Sequence, residues 1–222
     1  MDDKRTITVK GVGTASTKPD YVIINFKLTA KDKDYGRSVE EANRRIELLK
    51  NAVESVRFSV EDLKTISYNV RTDYENVRNK FGSYDRKFVG YCCEYQLRLS
   101  FYFDSNRLSE VMNSISESNS DVEISVSFTV KNPAKVSREL LKSAAEDARE
   151  KADILSSALG AKLGALLLID YNWGEMNIIS RSTYEMNDMM RGVDAVPLAA
   201  APVFEPENIN SKDSATFVWE LN

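Results

Sequence analysis

The chain has 222 residues, a net charge of -4 and no histidine, with a pI near 5.2. An acidic chain with no basic stripe is poorly suited to the phosphate backbone of nucleic acids. The absence of histidine removes Ser-His-Asp and Cys-His catalysis, imidazole metal sites and a histidine pH switch together.

Met1-Asp2-Asp3-Lys4-Arg5 leads straight into an alternating pattern, without an apolar leader or a run long enough to span a bilayer. The sequence as written is therefore expected in the cytoplasm, and a periplasmic or secreted protein is the alternative if a signal peptide has been removed. Thr6 to Val12 reads as a strand ending in Gly11-Val12-Gly13. No helix opens there, so this is no dinucleotide fingerprint, and the glycines are read as a turn or bulge between two strands. Val22, Ile24, Phe26, Leu28 and Ala30 then share one face of a second strand. A helix is predicted from Ser38 to about Val56, with Ser38 and Glu41 forming a capping box.

Ile66 to Tyr74 and Tyr91 to Phe103 alternate as the arms of a long hairpin, about 64–103. Arms this long must bend between layers or stand clear of the domain, which makes them a candidate subunit contact. Cys92 and Cys93 are adjacent in a strand and point to opposite faces, so they cannot pair with each other or chelate a metal together. Two reduced thiols, one of them in the core, are expected, with an intermolecular disulfide through Cys92 as the alternative. Asp104 or Ser105 caps a short helix, and Val122 to Val130 is the next strand.

A helix from Asn132 to Gly160 is the clearest element. It is opened by Asn132-Pro133, stopped by Gly160 and striped by Val136, Leu140, Ala144, Ala148, Ala152, Leu155 and Leu159. Alanines in the middle of that stripe predict that the helix backbone lies close against a sheet, with Leu163 to Ile169 as its buried strand. Gly174 to about Phe204 loses all periodicity and is read as a long flexible loop. It carries Met176, Met186, Met189 and Met190, then the proline-punctuated apolar run containing Leu198. Cu(I) binding by Met186 and Met189 would need more soft ligands than this segment offers. A last strand follows Pro206 and ends at Leu221.

These elements specify an α+β fold in one domain, with two sub-lobes as the alternative. Antiparallel sheets carry helices on one face in the order β-β-α-β-β-α-β-α-β-β. A strand pair followed by a helix is traced twice, in Thr6 to Val56 and Thr65 to Asn119. No catalytic residue, cofactor or metal ligand stands out.

Several stretches together resemble the SIMPL domain, a domain of unknown function known from a periplasmic immunogenic protein and a kinase-binding signalling protein. They are Ile7-Thr8-Val9-Lys10-Gly11-Val12-Gly13, Lys18-Pro19-Asp20, Leu63-Lys64-Thr65 before Tyr68 and Tyr74, and Gly90-Tyr91. The run Ala144, Ala148, Lys151, Ala152, Leu159, Gly160 and Leu163-Gly164 and the final strand complete it. The resemblance implies helices packed on antiparallel sheets, frequently in a ring-like or multimeric assembly, and no established reaction.

Three functions are compatible with these readings. The first is a non-catalytic module that forms a homo-oligomer or binds a protein partner, with Phe81 in the hairpin and Met176, Met186, Met189, Met190, Leu198 and Phe204 as its candidate contact surface. The second is a small-ligand or carboxylate-based site at Asp170, Tyr171 and Glu175, where a strand meets a loop. The third is an oxidative-stress role through the thiols and methionines.

Overall fold

The computed structural model describes residues 5–78, 83–172, 178–186 and 204–222. The described chain is α+β, with two antiparallel sheets and the helices expected from the sequence. It divides into two compact units. One holds residues 1–20, 129–181 and 206–222, and the other residues 21–128 and 182–205.

In the first unit, β1 (Thr6–Thr17), β8 (Ile209–Leu221) and β6 (Leu163–Asp170) form a three-stranded sheet in the order β1-β8-β6. Val9 lies opposite Phe217 and Gly11 opposite Ala215. The long helix α3 (Pro133–Ala158) begins as its sequence predicts, with the Asn132 side chain accepting from the Lys135 amide and Pro133 in the first turn. Its Val136, Leu140, Ala144, Ala148 and Ala152 are buried. The stripe ends there, because Leu155 and Leu159 are exposed.

The Gly-x-Gly of β1 explains why α3 is so rich in alanine. Gly11 and Gly13 lie in the middle of the strand, in place of the expected turn or bulge. A Cβ on Gly11 would lie 2.0 Å from the carbonyl oxygen of Ala144, and one on Gly13 would lie 1.9 Å from that of Leu140. Helix and strand backbones are thus in direct contact, and only glycine facing alanine leaves room for it.

β6 departs from its expected burial. Leu166, Leu167, Leu168 and Ile169 are each about half exposed, because α3 lies over β1 and β8 and leaves this end of the sheet bare. An unbroken apolar run predicts a buried strand, and the pattern is the same for an edge strand whose face is left open.

In the second unit, the sheet order is β3-β4-β2-β5-β7, formed by β3 (Lys64–Arg78), β4 (Tyr84–Tyr102), β2 (Tyr21–Asp32), β5 (Val122–Thr129) and β7 (Ile179–Met186). Helices α1 (Tyr35–Ser55) and α2 (Ser105–Glu117) supply the other side of a core built on Phe26, Leu28, Leu49, Leu99, Leu108 and Phe128. Asp34 caps α1 by accepting from the Arg37 amide, so the helix starts one turn before the predicted Ser38. Ser38 is buried and donates to the Tyr35 carbonyl, while Glu41 pairs with Arg44 and Arg45. Asp104 caps α2.

The two strand-strand-helix tracts differ in pairing. β3 and β4 form a hairpin, whereas β1 pairs with β8 and β2 with β4. β7 also forms within the stretch read as one long loop. Its sequence, Ile-Ser-Arg-Ser-Thr-Tyr-Glu-Met, alternates too weakly to be told from a polar connection.

Candidate functional site

An open sheet ends in unpaired backbone groups, so the ends of these two sheets are the first places to look for contact with another chain. Each sheet ends in two strands, β1 and β6 in one, β3 and β7 in the other. The four are treated differently.

β1 is covered. The Val12 amide donates to Asp147 Oδ2 at 2.7 Å and the Thr14 amide to Ser143 Oγ at 3.3 Å, while Lys151 Nζ donates to the Lys10 carbonyl at 3.4 Å. Side chains of α3 therefore take the place of a neighbouring strand. Lys151 also bonds Asp147 at 2.7 Å. This contact, with the Val12 amide, holds the Asp147 carboxyl below its usual pKa.

β6 is open but uneven. Its pairing with β8 slips between Leu163 and Leu166 and again between Leu166 and Leu168. Beside it, Leu166, Ile169, Phe217 and Trp219 floor a shallow groove walled by Ala145, Arg149 and Asp153 of α3. β7 is short, at 8 residues.

β3 is the long edge, regular from Ser67 onward on its own strand. This 15-residue strand runs along β4 from Lys64 opposite Arg98 to Arg78 opposite Tyr84, with register shifts between Thr65 and Ser67 and between Asp73 and Tyr74. β2 stops at Asp32 opposite Tyr91, so Tyr74 to Arg78 and Tyr84 to Phe88 extend beyond it and, among the described residues, pair only with each other in this sheet. Gly90 allows that departure. It has a φ of 152°, and a Cβ there would lie 2.4 Å from the Asp32 carbonyl oxygen.

A run of edge-to-face rings stiffens the arm, from Tyr35 to Tyr91 (5.7 Å), Tyr91 to Phe88 (5.5 Å) and Phe88 to Tyr74 (5.8 Å). Arg86 lies 4.7 Å over the Tyr74 ring. Ile66, Tyr68, Tyr74, Val77, Tyr84 and Phe88 remain exposed. On the other face of β3, Lys31 bonds Asp73 at 2.8 Å, which lowers the Asp73 pKa, and Arg71 sits 3.7 Å from Glu94.

The residues singled out from sequence fall elsewhere. Met186 is the last residue of β7. Met176, Met189, Met190, Leu198, Phe81 and Glu175 lie outside the described residues. Phe204 is 3% exposed and packs edge-on against Tyr184 and near Phe128, with its amide on Ser105 Oγ, so it belongs to the core and to no surface. The Tyr171 hydroxyl donates to Asp213 Oδ2 at 2.8 Å, and that bond raises its pKa, while the neighbouring Asp170 is exposed.

Cys92 and Cys93 are both fully buried free thiols, which removes the intermolecular disulfide expected as the alternative for Cys92. Burial pushes the Cys93 thiol up, away from its reactive thiolate. A cleft of about 370 Å³ on the five-stranded sheet is lined by Asn25, Lys27, Arg98 and Glu123. Lys27 already pairs with Glu123 at 3.3 Å and Arg98 with Asn25 at 3.1 Å. Among the described residues no cluster of three or more Cys, Asp or Glu is placed to hold a metal ion, and no helix is long and apolar enough to cross a membrane.

Alternation in the sequence predicts the hairpin, and strand length singles it out as a contact surface. The sequence places β6 as a strand but not its open face, because an apolar run is equally expected of a buried strand.

No curated protein matches the chain. The family model of SIMPL, described as a protein of unknown function (DUF541), matches residues 7–219. From β1 to Trp219 in β8, this chain belongs to the SIMPL family.

Proposed function

We propose that this protein is a non-catalytic module that assembles with other protein chains through the β3–β4 arm and the edge that runs from it. The observation that carries this reading is the arm itself, a paired ribbon extending past the end of β2 with Tyr74, Val77, Tyr84 and Phe88 exposed along it. Isolated two-stranded ribbons are marginal in water, and exposed apolar side chains along a free edge invite pairing with another chain. The ring stack from Tyr35 holds the arm in shape before contact, so little ordering cost falls on association.

Sedimentation equilibrium of the full chain over a hundredfold concentration range tests this reading. Association is expected, and it should weaken in a variant carrying Val77→Ser and Tyr84→Ser, whose side chains are exposed. A strict monomer throughout would contradict self-association, and an oligomer indifferent to both substitutions would remove the arm from the contact.

A further inference from the structure

The geometry points to a second copy of this chain as the occupant of the β3 edge, joined by antiparallel β3–β3 pairing about a twofold axis at Thr72. This rests on the assembly reading above and names its partner and register. β3 is the end of its sheet, is exposed along its length, and is regular from Ser67 to Arg78, because the slip at Asp73/Tyr74 is absorbed by the extra Val89 in β4. Among the described residues the other three sheet edges are covered, uneven or short.

A twofold axis normal to the sheet keeps every residue on its own face, so the candidate registers can be compared by charge. Centred on Arg71, the axis sets that arginine against its own copy. Centred on Asp73, it sets two carboxylates together at the axis, although Arg71 of each copy then faces Glu75 of the other. Centred on Tyr74, it sets Asp73 against Glu75, and centred on Val70 neither Arg71 nor Asp73 meets an opposite charge.

Centred on Thr72, Arg71 of each copy faces Asp73 of the other, twice across the axis. On the opposite face Val70 meets Tyr74, again twice. Opposite charges and aromatic-aliphatic pairs are both favourable cross-strand neighbours, whereas like charges are unfavourable. Of these registers only the one at Thr72 pairs opposite charges without setting like charges together, the self-complementarity that a symmetric dimer interface requires. Arg71 is free to turn toward the partner, since its side chain is 56% exposed and its contact with Glu94 is a long 3.7 Å.

Mixing complementary charge variants tests this directly. In Arg71→Asp, two carboxylates meet on each side of the axis, and in Asp73→Arg two guanidinium groups do. Each variant alone should associate about tenfold or more weakly than the parent. An equimolar mixture should recover association, because each copy of one variant then meets opposite charges on the other. Mixing cannot rescue a chain that has merely lost Lys31 or Glu94 as a partner.

Thr72→Cys provides a second readout. Facing residues at the axis are about 4.5–5.5 Å apart, within disulfide reach, so mild oxidation should link two chains while Cys92 and Cys93 stay buried. Recovery on mixing together with the Thr72 cross-link supports the proposal. If the parent associates but the variants associate equally well, or mixing recovers nothing and no cross-link forms, the β3 register is wrong and assembly by another surface remains. A parent that is monomeric at every concentration overturns self-assembly itself.

Discussion

The Val12 amide donates to the Asp147 carboxylate at 2.7 Å, so a side chain from α3 completes a hydrogen bond that a neighbouring strand would otherwise make to β1. Lys151 holds the same carboxylate at 2.7 Å. Because both contacts favour the charged form, the folded pKa of Asp147 lies below its unfolded value of 3.8. Its contribution to stability is then fully present above that unfolded value and is lost as pH falls through the folded one. Asp147→Asn should lower the melting temperature at pH 7, and the difference from the parent should shrink below about pH 4. Thermal melts of both proteins from pH 7 to pH 2.5 check this.

Glu41 behaves in the same direction. Its bonds to Arg44 and Arg45 lower its pKa from 4.5 to about 2. That stabilisation is expected to disappear as pH falls from 4.5 toward 2, and Glu41→Gln should remove this part of the acid sensitivity. Titration of the Glu41 carboxyl by NMR is the check, and an ordinary midpoint near 4.5 would show that the arginines do not hold it in solution.

Gly11 and Gly13 give the sharpest stability prediction. An added methyl would overlap backbone oxygens of α3, which cannot rotate away as a side chain can. Gly11→Ala or Gly13→Ala should each cost about 3 kcal/mol or more. Gly160→Ala is the control. It meets nothing within 4 Å and has a φ of 71°, so only backbone strain remains, about 1 kcal/mol. Urea denaturation of the three variants should separate them clearly.

Much of this fold was legible in the sequence because burial leaves a periodic record. Alternation in Val22 to Ala30 and Val122 to Phe128 placed core strands correctly, and the Asn132-Pro133 start of α3 came from its own local chemistry. What the sequence did not record is which element lies against which. Gly11 and Gly13 suggested a turn because their need for space comes from α3, more than 120 residues away in the chain. Leu166 to Ile169 suggested a buried strand because nothing local shows that α3 sits over β1 instead. The hairpin was visible as a surface only through its length, and the ring stack holding its arm depends on Tyr35 in a different element.

Phe204→Ala separates the core from the contact surface. The ring is buried beside Tyr184 and Phe128, so its loss should destabilise the fold by about 3–5 kcal/mol. Under conditions where the variant remains folded, its association should match the parent. A variant of unchanged stability and weakened association would return Phe204 to the surface.

The thiols supply a test of native packing. Cys92 and Cys93 are fully buried, so reaction with a thiol reagent should be slow in buffer and fast in denaturant, with a rate set by opening of the sheet. Rapid modification of the native protein would show that β4 is more accessible than its packing implies.

Hydrogen exchange of the β3 backbone, compared at low and high protein concentration, tests the central claim most directly. Amides between Ser67 and Val77 that face away from β4 should exchange freely in dilute solution and become protected as the chains associate, while the α3-covered Val12 amide stays unchanged. Association without any added protection along β3, or no concentration dependence at all, would contradict the account.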